Sequence, residues 1–68
     1  MKSLIQNYIN GNLSDAKRQA RNYSLQKLVD GFAGYGYGLH AAYDIANYLK
    51  GYGTFEAACQ SEAADSAN

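Results

Sequence analysis

The middle of the chain reads Asp30-Gly31-Phe32-Ala33-Gly34-Tyr35-Gly36-Tyr37-Gly38-Leu39-His40. This glycine-tyrosine stretch holds more than half of the seven glycines in the chain. Helix-like sequence lies on both sides of it, and Gly34 or Gly36 can adopt the left-handed conformation that ends a helix. We therefore predict that the stretch joins two helices. Tyr35 and Tyr37 would then be contact residues for a partner, or one of them would pack on the core.

The helices on either side of the stretch are predicted from their apolar spacing. Before it, four residues recur at i, i+3, i+4 and i+7 and should form the centre of the core: Leu25, Leu28, Val29 and Phe32. After it, residues 39–50 have two apolar faces, one of which begins at Leu39. Such a helix is expected to be contacted on two sides, and Gly51 is a suitable residue to end it.

Shorter amphipathic segments complete the pattern. One helix is predicted near the N-terminus, a second behind Ser14, and a last one behind Thr54, because serine and threonine are good N-caps. Phe55, Ala58 and Cys59 would face inward from the last helix. The predicted fold is an all-α bundle of four to five short helices, with a single domain over residues 1–62 and a frayed tail over 63–68.

Composition excludes several classes of protein. A chain of 68 residues makes one domain, and its single cysteine cannot form a disulfide within the chain. One Cys and one His cannot supply the four ligands of a structural zinc, so neither a metal nor a cofactor is predicted. No apolar run approaches the roughly 20 residues of a membrane span, and no signal core is present. The expected location is the cytoplasm.

The charges are balanced in total but separated along the chain. Residues 1–30 carry five Lys and Arg against two Asp, whereas residues 31–68 carry one Lys against four Asp and Glu. Lys17, Arg18 and Arg21 form a basic face on the second predicted helix, and Lys27 follows nearby. That face is either solvated or a weak contact for nucleic acid.

No catalytic or nucleotide-binding site is predicted. His40 precedes Asp44 by four residues, so the carboxylate could orient the imidazole, but no nucleophile is placed beside it. Cys59 is interpreted as a small core residue. The glycines lack the following Lys-Ser/Thr pair of a Walker loop and the preceding strand of a dinucleotide fingerprint. Residues 44–59 have the outline of a helix-turn-helix, but the second helix is acidic, which indicates an ordinary helical hairpin.

Two segments resemble small accessory proteins of bacteriophages and prophages. They are Ser14-Asp15-Ala16-Lys17-Arg18-Gln19-Ala20-Arg21 and Asn47-Tyr48-Leu49-Lys50-Gly51-Tyr52-Gly53-Thr54-Phe55-Glu56-Ala57-Ala58-Cys59-Gln60-Ser61-Glu62. The resemblance implies a non-enzymatic protein that binds and inhibits a bacterial host protein, for example a defence component such as a CRISPR effector. Separately, the two apolar faces of the predicted helix over residues 39–50 make a homodimer reasonable. The predicted partner-binding residues are Tyr35, Tyr37, His40, Lys17, Arg18 and Arg21.

Overall fold

The computed structural model describes residues 1–66 of the chain. Within them lie five helices: α1 (Lys2–Ile9), α2 (Leu13–Ala20), α3 (Leu25–Tyr35), α4 (Leu39–Lys50) and α5 (Phe55–Ser66). The described residues contain no strand. The prediction of an all-α bundle with four to five short helices is confirmed.

Helix α4 is the central element, as its two apolar faces predict. It packs against α3 and α5 and also contacts α2, while α1 packs on α2. The stripe that was expected at the centre of the core is there, with Leu28, Val29 and Phe32 almost wholly buried. On α4, alanines at positions 41, 42 and 46 are buried as well. Their small side chains allow the neighbouring helices to approach α4 closely.

Most helix ends follow the expected local signals. The Ser24 hydroxyl accepts a hydrogen bond from the Lys27 amide at 3.2 Å, and the Thr54 hydroxyl accepts one from the Ala57 amide at 3.1 Å. Ser14 is not the cap of α2, because that helix already begins at Leu13 and Ser14 lies inside its first turn.

In the joint between α3 and α4, the glycine that caps the C-terminus of α3 is Gly36 rather than Gly34. Gly36 has φ +128°, and its amide donates to the Ala33 carbonyl at 3.2 Å. The next amide, that of Tyr37, donates to the Phe32 carbonyl at 3.1 Å. This pair of bonds is the Schellman arrangement, which requires a residue at positive φ after the last helical turn. Tyr35 is therefore the last residue of α3, and Gly34 lies within the helix.

Four further sequence-based expectations differ from the structure. Phe55, which was predicted to face inward, is 43% exposed. Leu39 occupies the first position of α4 and is 66% exposed, so the predicted inner face begins only at Ala42. Cys59 is exposed rather than part of the core. Helix α5 runs to Ser66, four residues past the predicted end of the helical domain. Of the predicted frayed tail, residues 67 and 68 lie outside the described residues.

Candidate functional site

The two tyrosines of the joint have different environments. Tyr35 is 49% exposed, and its hydroxyl accepts a hydrogen bond from Gln6 Nε2 at 2.9 Å. Tyr37 is partly buried, with its ring edge-to-face against Phe32 at a centroid distance of 5.6 Å. The two tyrosine rings stack with centroids 6.5 Å apart and planes inclined by 26°. Tyr35 is thus a surface ring, and Tyr37 connects it to the core.

A groove opens beside this tyrosine pair. It has a volume of about 560 Å³ and lies between the α3–α4 joint and the C-terminal half of α5. We call it the tyrosine groove. Its principal lining residues are Tyr35, Tyr37, Gly38, Ala41, Glu62 and Asp65.

Asp65 closes one end of the tyrosine groove and caps helix α4. One carboxylate oxygen accepts a hydrogen bond from the Ala41 amide at 2.9 Å. The local N-cap residue is Gly38, which has no side chain to satisfy that amide, so α5 supplies the acceptor. A Cβ at Gly38 would lie 2.6 Å from the Asp65 carboxyl carbon, while the Gly38 φ of −66° suits any residue. Gly38 is needed for space rather than for conformation.

His40 lies at the rim of the tyrosine groove, but its predicted partner is wrong. Its Nδ1 is 3.7 Å from an Asp65 oxygen, and its side chain is 91% exposed. The Asp44 carboxylate instead accepts a hydrogen bond from the Ser61 hydroxyl. Neither carboxylate is therefore free to orient the imidazole. Asp65 bonds to the Ala41 amide, and Asp44 bonds to Ser61 of α5.

Glu62 lines the tyrosine groove and also contacts the core residue Tyr8. Its carboxylate accepts a hydrogen bond from the Tyr8 hydroxyl at 2.9 Å. Burial is the main cause of the raised pKa of Tyr8, and the hydrogen bond to Glu62 raises it further. Burial also raises the pKa of Tyr37, with Glu62 and then Tyr35 as the next causes. Both phenols therefore stay protonated well above neutral pH, beside a charged carboxylate.

The apolar surface continues past Glu62. A second hollow of about 300 Å³ shares Tyr37 and Glu62 with the tyrosine groove and extends to Ile9 and Phe55. Both Ile9 and Phe55 are exposed. The tyrosine groove and this hollow together form a continuous surface, which we call the aromatic face.

The basic residues lie elsewhere, around a groove of about 330 Å³ at the C-terminal end of α4. Lys17, Arg21 and Lys50 line it, and we call it the basic groove. Lys17 Nζ sits 4.5 Å from the centroid of the Tyr48 ring. Arg18 is not part of the groove lining, and it pairs with Asp15 at 2.7 Å. Lys50 was missed as a candidate because only the packing of α2 on α4 brings it to the other two.

The six sequence-predicted residues therefore divide into two groups. Tyr35 and Tyr37 line the tyrosine groove, and His40 contacts Asp65 of the same groove. Lys17 and Arg21 line the basic groove, whereas Arg18 of the same helix pairs with Asp15. Glu62 and Asp65 were missed as site residues, because the sequence shows them only as acidic residues of a helix.

The apolar faces of α4 that made a homodimer reasonable are largely covered by α2, α3 and α5, although Leu39 at the start of the helix is exposed. None of the helices in residues 1–66 has the length and apolar character of a membrane span. Within the same residues, no three His, Cys, Asp or Glu side chains come together to hold a metal ion. Comparisons with protein families, with curated proteins and with solved structures found no match to the chain.

Proposed function

We propose that this protein acts without catalysis, by binding another protein through its aromatic face. The observation that carries the proposal is the stacked pair of Tyr35 and Tyr37 beside a groove of about 560 Å³. Tyrosine offers a large contact area and a polar tip with few rotatable bonds. The Gln6 hydrogen bond and the Phe32 contact already hold the two rings in place. Little side-chain entropy is then lost when a partner binds.

The resemblance to small phage accessory proteins supports a bacterial host protein as the partner. On that basis the protein works in the host cytoplasm, and the binding inhibits a defence component, for example a CRISPR effector. The size of the chain fits this role, because one compact helical domain can cover a functional surface of a larger protein.

Capture from a host lysate tests this proposal. Tagged wild-type protein and the Tyr35→Ala variant are compared, with the captured protein quantified by mass spectrometry. Loss of a central aromatic contact typically costs 2 kcal/mol or more, so we expect capture by Tyr35→Ala to fall by about 30-fold. Tyr52→Ala is the matched control, since Tyr52 is 76% exposed and lies outside the groove. Equal capture by the wild type and Tyr35→Ala contradicts the proposal.

Weak binding of nucleic acid is the second candidate, favoured by the convergence of Lys17, Arg21 and Lys50 on the basic groove. Two observations weigh against it. Lys17 is already held over the Tyr48 ring. The groove also lies at the C-terminal end of α4, where cations stabilise the negative end of the helix dipole.

Salt dependence distinguishes the two candidates. Phosphate contacts by three cations give a log–log slope of about −3 for duplex DNA, and Arg21→Gln should reduce it by about one. A steep slope that responds to Arg21→Gln, with no effect of Tyr35→Ala on activity in the host, favours nucleic acid over protein.

A further inference from the structure

We infer that the tyrosine groove takes a lysine or arginine side chain of the bound protein, between its tyrosine rings and the carboxylates of Glu62 and Asp65. This inference rests on the proposed function and specifies the chemistry of the partner. It does not rest on the acidic residues alone, because the groove combines them with two ordered aromatic rings.

The first step is the charge of the groove. Its lining residues include two carboxylates and no Lys or Arg. Among residues 1–66, neither carboxylate forms an ion pair with a Lys or Arg side chain. Glu62 accepts from the uncharged Tyr8 hydroxyl, and Asp65 accepts from a backbone amide. The nearest imidazole nitrogen, on His40, is 3.7 Å from Asp65, which is beyond hydrogen-bond distance. The groove therefore holds no Lys or Arg that neutralises its carboxylates, and His40 pairs with Asp65 only when its imidazole is protonated.

The second step is the aromatic wall. The electron-rich faces of tyrosine rings attract ammonium and guanidinium groups. The chain contains an example of this contact, since Lys17 Nζ lies 4.5 Å from the Tyr48 ring centroid. In the tyrosine groove, Tyr35 is about half exposed, and within residues 1–66 no Lys or Arg lies over its ring. A partner side chain could make the same contact there and also reach a carboxylate.

The position of Glu62 in the groove also affects the ionisation of Tyr37. The charge of Glu62 contributes to the raised pKa of Tyr37, since a nearby negative charge disfavours the phenolate. A cation that enters the groove reverses this effect and lowers the pKa of Tyr37.

A partner protein fits the groove better than a second copy of the chain. The tyrosine groove and the basic groove lie at opposite ends of α4. A copy that placed its basic groove on the tyrosine groove would form a head-to-tail contact and leave both outer surfaces open to further copies. It would also have to release Lys17 from the Tyr48 ring.

The test uses a matched pair of peptides and the intact chain. The probe is acetyl-Gly-Leu-Arg-Leu-Gly-amide, and its control carries citrulline, which has the shape of arginine without the charge. Each is titrated into ¹⁵N-labelled protein while the backbone amides are followed by NMR. The arginine peptide should shift the amides of residues 35–41, 62 and 65. The citrulline peptide should bind about fivefold more weakly.

Glu62→Gln combined with Asp65→Asn is the matched protein variant. Both amides keep an oxygen that can accept the hydrogen bonds from Tyr8 and Ala41, so the fold is expected to persist. An unchanged amide spectrum away from the groove verifies this. In the variant, the arginine peptide should bind no better than the citrulline peptide.

Three results overturn the inference. They are equal binding of the two peptides, shifts centred on the basic groove, and shifts at the tyrosine groove that depend on protein concentration without peptide. The last result identifies a second copy as the occupant.

Capture from the host lysate then separates this inference from the proposed function. If Tyr35→Ala loses the captured protein but the double amide variant keeps it, only the cationic side chain is refuted. If neither variant loses it, the aromatic face itself is refuted.

Discussion

The two glycines that flank helix α4 are required for opposite reasons. Gly51 follows the helix with φ +86°, and a Cβ there would meet no atom within 4 Å. Gly38 precedes it with an ordinary φ of −66°, but a Cβ there would collide with Asp65. One position is restricted by backbone conformation and the other by the space that a distant side chain occupies.

The two ends of α4 are therefore stabilised in different ways. The C-terminal end is determined locally, because the Gly51 and Tyr52 amides bond back to carbonyls of the same helix at 3.1 and 2.8 Å. The N-terminal end depends on α5, whose Asp65 satisfies the Ala41 amide. The same long-range contact holds the Asp65 carboxylate in the tyrosine groove. The proposed site thus lies at the end of α4 whose capping depends on a contact with another helix.

The largest expected effect is on alkaline stability, through Tyr8 and Tyr37, which both lie close to Glu62. Both have pKa values raised above the unfolded value of about 10. Below pH 10 the phenols are protonated in both states and this contribution to stability is fully present. Above it, the unfolded state loses protons first, so stability falls by about 1.4 kcal/mol per pH unit through Tyr8 and by less through the more exposed Tyr37. Urea unfolding between pH 8 and 11.5 measures the decline.

Tyr8→Phe should make that decline shallower, because one of the two phenols is removed. It should also lower stability at pH 8 by about 1 kcal/mol through loss of the hydrogen bond to Glu62. Tyr52→Phe is the control for removal of a phenol at an exposed position. Parallel curves for the wild type and Tyr8→Phe contradict the role assigned to Tyr8.

Gly38→Ala should destabilise the protein by about 1–2 kcal/mol. The new Cβ displaces the Asp65 carboxylate and leaves the Ala41 amide without its acceptor. Asp65→Ala alone should cost about 1 kcal/mol for the same lost cap. In the Asp65→Ala background, Gly38→Ala should have a smaller effect, because the carboxylate is gone and only the Cβ at position 65 remains, 3.0 Å away. The expected coupling is about 1 kcal/mol in urea unfolding. Additive effects of the two substitutions refute the capping contact.

Local signals account for what the sequence predicted correctly. The stripe of Leu28, Val29 and Phe32, the cap at Ser24 and the helix end at Gly51 each depend on residues within two turns. The number of helices and the central place of α4 follow from such signals.

Helix α5 shows why the rest could not be predicted. The rule that apolar residues face inward placed Cys59 in the core, yet Cys59 is exposed. The face of α5 that packs on the other helices instead carries Ala58, Glu62 and Asp65. The Glu62 carboxylate accepts a hydrogen bond from Tyr8, and the Asp65 carboxylate accepts one from the Ala41 amide. Those acceptors are satisfied only by groups 24 and 54 residues away in the chain. Tyr35 and Tyr37 could be named from sequence, but the acidic half of their groove could not.

Gly51→Ala tests the local end of α4 and should cost about 1 kcal/mol, since an L-residue is strained at φ +86°. Gly51→Asn should cost less, because asparagine tolerates the left-handed region. Unlike Gly38→Ala, this effect should add to that of Asp65→Ala within about 0.5 kcal/mol in urea unfolding. Strong coupling between positions 51 and 65 contradicts the independence of the two ends.

Lys17→Met gives the smallest expected effect, about 0.5 kcal/mol, through loss of the cation from the Tyr48 ring. Methionine keeps an apolar stem of similar length, so packing on α4 is largely retained. Lys27→Met controls for removal of an exposed helical lysine. The difference between the two variants should shrink in 1 M salt, which screens surface charges. If they are equally stable at low salt, Lys17 contributes nothing to the C-terminal end of α4. Its ammonium is then available to phosphates, which strengthens the case for the basic groove against the aromatic face.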